Sequence, residues 1–201
     1  MCVTTDQRLH ALEDLVYALK VMLENANVVY WIDSGTLLGV YRARQLVPWD
    51  YNADMGVTMA GLEYYAPLIR RIFNSSLYEA GDTSTAVPVR FVDTKFGFYA
   101  NIFAFQEFEG LFKDDLRSLW DQNRPRSGSD ACTVRRGEDE DSEVTRAPNA
   151  TVVKHFRVPR DWIFPLRLCK LELFEVMCPA QMAPYLMFIF GNRFLTPELW
   201  E

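Results

Sequence analysis

The chain has 201 residues, 49% of them hydrophobic and 24% charged, with a formal net charge of -6. That length and apolar content suit a single domain with a sizeable core, and fourteen Phe and five Trp make the core bulky. The acidic balance argues against general nucleic-acid binding, which needs clustered Lys and Arg, and points to small molecules, sugars or proteins as partners.

No apolar run reaches the roughly 18 residues that would span a bilayer, so no transmembrane segment is expected. Met1 to Gln7 is polar and lacks a signal-peptide core. Read alone, the sequence predicts a soluble chain, neither secreted nor anchored. Cys2, Cys132, Cys169 and Cys178 make no CxxC pair, which leaves a structural zinc site little support. Cys169 and Cys178, beside apolar neighbours, are expected to be buried thiols. Asn74 and Asn149 head Asn-x-Ser/Thr sequons, relevant only in a secretory setting.

From Asp6 to Asn25 the apolar residues Leu9, Leu12, Leu15, Val16, Leu19, Met22 and Leu23 fall on one helical stripe. Thr4 with Gln7 forms a capping box at its start. Val28 to Ile32 reads as a buried strand, broken by Asp33-Ser34-Gly35-Thr36, after which Leu37 to Arg42 resumes as a helix. Pro48 punctuates before Trp49-Asp50-Tyr51-Asn52-Ala53-Asp54, and a strand from Met55 to Met59 follows.

Leu62 to Phe73 reads as a helix; Val87 to Val92 and Phe98 to Phe105 read as strands joined by a loop of hairpin composition. Residues 122–150 carry the acidic run Glu138-Asp139-Glu140-Asp141 and almost no large apolar side chains. Such a stretch cannot offset its ordering entropy by burial and is expected to be a disordered, solvated insertion within the domain. His155 to Leu168 reads as extended, Leu171 to Cys178 as a strand, and Ala180 to Phe190 as a closing helix.

Three features carry chemistry. The turn Ser34-Gly35-Thr36 leads into a helix, and backbone N–H groups at a positive helix end favour an anion such as phosphate. Asp50, Asn52 and Asp54 alternate, so an extended backbone puts all three on one face. Clustered acids stay ionised together when a hard cation sits among them, and Mg²⁺ takes carboxylate and phosphate oxygens. Asn101 is a polar residue inside an apolar strand and needs a hydrogen-bond partner or a function. Taken singly, each has a plain structural reading: a common glycine turn, a solvated acidic loop, a satisfied buried amide. Of the two histidines, His10 is expected on the surface of the first helix, and His155 is more readily structural or solvated than a base.

In this order the features resemble the LicD/fukutin family. Ile32-Asp33-Ser34-Gly35-Thr36-Leu37-Leu38-Gly39-Val40-Tyr41-Arg42 is similar to its L-D-G-G-T-L-L-G-x-x-R, and Val47-Pro48-Trp49-Asp50-Tyr51-Asn52-Ala53-Asp54 to its I-P-W-D-x-D-x-D. Asn101-Ile102-Phe103 stands where the family has D-I-F, and Phe164-Pro165-Leu166 matches its F-P-L. Pro179, Tyr185-Leu186 and Phe190-Gly191 echo its closing P, Y-L and Y-G.

The resemblance implies an α/β, nucleotidyltransferase-like fold, with a short mixed sheet flanked by helices. It implies a metal-dependent phosphotransferase that moves phosphocholine or a polyol or sugar phosphate from a CDP-linked donor onto a glycan or glycoprotein acceptor. By it, Ser34, Gly35, Thr36 and Arg42 hold the donor phosphates. Asp50, Asn52 and Asp54 hold Mg²⁺ or Mn²⁺, and Asn101 completes the catalytic set. It also implies a Golgi or secretory setting.

The family has Asp where this chain has Asn52 and Asn101, and two lost charges weaken cation binding. Three readings stay open: an enzyme running on Asp50 and Asp54, a protein that binds donor without turnover, or a scaffold.

Overall fold

The computed structural model describes residues 3–58, 60–61, 78–80, 89–108, 111–114 and 156–196. The predicted helix at Leu62 to Phe73, the insertion at 122–150, both sequons, Cys2, Cys132 and His155 lie outside them.

Helix α1 (Thr5–Asn25) starts with the expected capping box, in which the Thr4 side chain accepts from Gln7 N and the Gln7 side chain accepts from Thr4 N. Its stripe Leu12, Leu15, Val16, Leu19 and Leu23 is fully buried. His10 lies on the opposite side with its side chain 80% exposed, as expected.

Strand β1 (Tyr30–Ile32) is shorter than predicted: Val28 is buried but Val29 is 45% exposed, and both precede the ladder. Helix α2 (Ser34–Ala43) follows directly. Strand β2 (Asn52–Thr58) begins three residues before the predicted Met55, so Asn52 and Asp54 belong to the strand itself. Asp54 is what carries the strand back: its backbone N–H donates to Thr36 Oγ1 and its carbonyl accepts from Asp33 N, both at 2.9 Å.

The main sheet is mixed, as expected. Its order is β1-β2-β5-β4-β3, where β3 is Tyr78–Ala80, β4 is Val89–Asp93 and β5 is Tyr99–Phe108. Strand β2 is antiparallel to β1 and parallel to β5. The far end of β5 continues through β6 (Leu111–Asp114) and β7 (Phe156–Pro159).

Arg160–Ile163 forms a short helical turn, α3, where an extended segment was predicted. The Phe164 N–H to Arg160 O bond closes it at 2.9 Å. Strands β8 (Arg167–Leu171) and β9 (Phe174–Cys178) form a separate hairpin, and α4 (Met182–Phe190) closes the fold. Cys169 and Cys178 are joined by a disulfide across this hairpin, with Cα atoms 5.9 Å apart. The expectation of buried thiols is therefore corrected: apolar neighbours signal burial of sulfur but do not tell whether a second cysteine lies across a strand.

One face of the central strands is divided. Trp31, Phe103 and Phe105 are buried there, and Trp31 lies 5.0 Å from the Phe105 ring and 5.9 Å from Phe164. Gly56 makes room for that indole, since a Cβ built on it would fall 2.3 Å from the Trp31 ring. Two residues back along β2 the same face turns polar, at Asp54.

Candidate active site

Strand register assembles the polar end of that face. Asp54 of β2 stands opposite Asn101 of β5, and Asn101 stands opposite Arg90 of β4. Directly opposed residues share a face, so the three side chains form one rung across three strands. Asn101 Nδ2 donates to Asp54 Oδ1 at 3.0 Å, and Arg90 Nε donates to Asn101 Oδ1 at 3.1 Å. Asn52, two residues before Asp54, donates to the same Oδ1 at 3.0 Å. Asn101 is fully buried and Asp54 is 4% exposed. The polar residue in an apolar strand thus has its partners, and they belong to the same cluster.

The glycine corner faces this rung. A Cβ placed on Gly35 would lie 2.6 Å from Asp50 Oδ2, so the missing side chain is what lets the Asp50 carboxylate approach the start of α2. Thr36 reaches the other side, its hydroxyl accepting from Asp54 N. Asp50 therefore meets the Gly35 corner, and Asp54 is tied to Thr36 beside it through its backbone N–H.

Other predicted roles are distributed differently. Ser34 sits at φ +48°, a conformation that favours glycine, and the family pattern has glycine there. Its N–H donates to Asp33 Oδ1 at 2.7 Å. Asp33 thus caps α2 with the protein's own carboxylate and answers part of the positive helix end expected to hold phosphate. Arg42 is not brought to the corner. It stands in the last turn of α2, about 10 Å along the axis from Gly35 at 1.5 Å per residue. Its Nε donates to the Phe194 carbonyl at 2.8 Å, and Nη2 donates to the same oxygen. Its partner is the C-terminal segment.

Three residues escaped the sequence reading. Asp33 is fully buried and takes a 2.8 Å hydrogen bond from Tyr185 Oη on α4. That pair is 152 positions apart in sequence, and only the echo of the family's closing Y-L pointed at Tyr185. Arg90 is the third, and nothing local marks it; only the β4–β5 register does.

Mg²⁺ is commonly held by one or two carboxylates plus substrate phosphates, and Asp50 and Asp54 are the charged oxygens that flank the corner. Asn52 and Asn101 turn N–H groups, not carbonyl oxygens, toward Asp54. They hydrogen-bond that carboxylate and leave its charge in place, where two further acids would repel it. Among the described residues no group of three or more His, Cys, Asp or Glu side chains is arranged to hold a metal ion.

A mixed sheet with a glycine corner and carboxylates at the start of the adjoining strand is the frame of a nucleotidyltransferase domain. The LicD/FKTN/FKRP nucleotidyltransferase-domain family matches residues 27–181, and the chain belongs to that family. Two curated relatives are the ribitol 5-phosphate transferases FKRP of Mus musculus and Homo sapiens, each 41% identical over 49 residues. Those residues are 24% of this chain and only 10% of each relative. Uncharacterized protein RP689 of Rickettsia prowazekii is 44% identical over 36 residues, 18% of this chain and 14% of that protein. Among solved structures, the lincomycin-bound lincosamide antibiotic adenylyltransferase LnuA superposes with a TM-score of 0.49 at 13% identity, covering 92% of this chain and 89% of that one.

Proposed function

We propose that this domain is a phosphotransferase that moves a phosphocholine or a polyol or sugar phosphate from a CDP-linked donor onto a glycan or glycoprotein acceptor. The observation that carries this reading is the meeting of the Asp50 carboxylate with the Gly35 corner, beside the buried Asp54. The donor diphosphate lies against that corner. The acceptor hydroxyl oxygen attacks the phosphorus that bears the transferred group. The bond from that phosphorus to the bridging oxygen breaks, CMP leaves, and the hydroxyl proton passes to a carboxylate.

Asp50 and Asp54 would hold Mg²⁺ or Mn²⁺, and such an ion supplies charge neutralisation and orientation of the transferring phosphoryl group. Asn52 and Asn101 set the Asp54 carboxylate in place without adding charge. The site lies in a domain matched to only a tenth of each FKRP relative, so the donor and acceptor are assigned here by family resemblance.

A second reading, binding of donor without turnover, is favoured by the two amides on Asp54. CMP release from CDP-ribitol and CDP-choline, followed with and without Mg²⁺ and a glycan acceptor, separates the two. Metal-dependent CMP release supports the enzyme. Turnover that appears only after Asn52→Asp and Asn101→Asp supports the binding protein, and no interaction with either donor sinks both.

A further inference from the structure

The polar rung ends on a cation that neither the glycine corner nor the acidic strand accounts for. Arg90 sits in register with Asn101 and gives its Nε to Asn101 Oδ1 at 3.1 Å. Its guanidinium lies over the Tyr99 ring, 4.3 Å from the centroid. Those two contacts fix both the position and the plane of the group, because cation–π stacking orients the flat face and the Nε bond sets its rotation. A guanidinium carries five N–H donors in a rigid fork that matches phosphate oxygens. Nε is given to Asn101, and the register puts Arg90 on the same face of the sheet as Asp54.

Charge decides what this arrangement is for. The family pattern places Asp at 50, 52, 54 and 101, and four acids around a diphosphate require metal ions to hold them together. Here two of the four are amides, and a guanidinium is coupled to one of them. Counting the buried Asp33, three carboxylates and one guanidinium make a pocket less repulsive to a diphosphate than five carboxylates would.

We propose that Arg90 is a phosphate-binding residue of the donor site, which takes over part of the charge neutralisation that metal ions perform in an all-Asp site. The inference rests on the reading of the pocket as a site for a nucleotide-linked diphosphate. Asn101 is then a positioning residue: its carbonyl oxygen aims Arg90 and its amide nitrogen holds Asp54. An Asp at 101 could pair with Arg90 but could not donate to Asp54, so the amide is the one side chain of that size that serves both neighbours.

The test is calorimetric titration of the full chain with CDP, once in Mg²⁺ and once in EDTA. Wild type should bind CDP in both. In EDTA, Arg90→Met should weaken binding at least about tenfold, the scale of a charge-assisted hydrogen bond. Arg90→Lys should recover part of it, since charge returns without the fork. Thermal melts accompany each variant, and Arg90→Lys keeps the test decisive if Arg90→Met fails to fold. Equal CDP affinity of wild type and both variants in EDTA, or wild-type binding that vanishes in EDTA while persisting in Mg²⁺, overturns the role of Arg90 and leaves the proposed function standing. Absence of CDP binding in both buffers overturns both.

Discussion

The two sides of the site differ in what holds them. The corner matches the family pattern except at Ser34 and is wired into the fold: Asp33 caps α2 and binds Tyr185, Thr36 accepts from Asp54 N, and Gly35 admits Asp50. The rung departs from the pattern at both Asn52 and Asn101, yet both amides donate to Asp54 and Asn101 accepts from Arg90. Changing a corner residue disturbs contacts that join α2 to β2 and α4. Exchanging amide for acid on the rung changes charge and removes an N–H donor from Asp54. The corner is therefore the more conservative part of the site physically, and the rung is where its chemistry can shift.

The largest effect should come from putting charge back into the rung. Asn101→Asp replaces an N–H donor 3.0 Å from Asp54 Oδ1 by a second carboxylate. Arg90 can still pair with the new carboxylate, but Asp54 loses a buried donor and gains a like charge, so in EDTA this should destabilise the fold by about 3 kcal/mol, the upper scale of a lost hydrogen bond to a charged group, with Mg²⁺ restoring much of the loss. Urea melts with and without Mg²⁺ measure it, and a melt that ignores the metal would mean the rung does not face a cation site.

Gly35→Ala attacks the corner instead. The added methyl would meet Asp50 Oδ2 at 2.6 Å, so the carboxylate must move. CDP affinity or turnover should fall about a hundredfold, as displacements near 1 Å can do, while the helical position tolerates Ala and the melting temperature holds. A stability loss with affinity retained would show the approach to be packing alone.

Tyr185→Phe deletes the O–H that reaches buried Asp33 Oδ1 at 2.8 Å. A cost of about 1–2 kcal/mol in chemical denaturation is expected for a bond to a buried carboxylate. A neutral result would detach α4 from the corner.

The smallest effect lies outside both regions and serves as their control. Burial, followed by the nearby charge of Glu172, raises the Glu13 pKa above its ordinary value of 4.5. An acid with a raised folded pKa favours folding while protonated, and that contribution is lost as pH rises through the folded pKa. Glu13→Gln should therefore raise the melting temperature slightly at pH 7, with the gain fading below about pH 4.5 and CDP affinity unchanged.

Much of the frame was legible because local signals agree with it. The α1 stripe and its Thr4–Gln7 box and the alternation of Asn52 and Asp54 follow from spacing, whereas the helix predicted from Leu37 already begins at Ser34 and Asp50 sits in a turn before β2. What was hidden depends on partners distant in sequence. The parallel pairing of β2 with β5 brings Asn101 to Asp54 across 47 positions, and only that register, extended to β4, recruits Arg90. Arg42 was misread for the opposite reason: it matches the family pattern, but Phe194, 152 positions away, claims its guanidinium. The Cys169–Cys178 disulfide depends on strand pairing in the hairpin and not on the apolar neighbours of either sulfur.

The most direct measurement is a crystal structure grown with CDP and Mn²⁺, read by manganese anomalous scattering. The account predicts a peak touching the carboxylates of Asp50 and Asp54, with the diphosphate lying between Gly35 and the Arg90 guanidinium. Nucleotide bound away from Gly35, or manganese that contacts neither carboxylate, would contradict it.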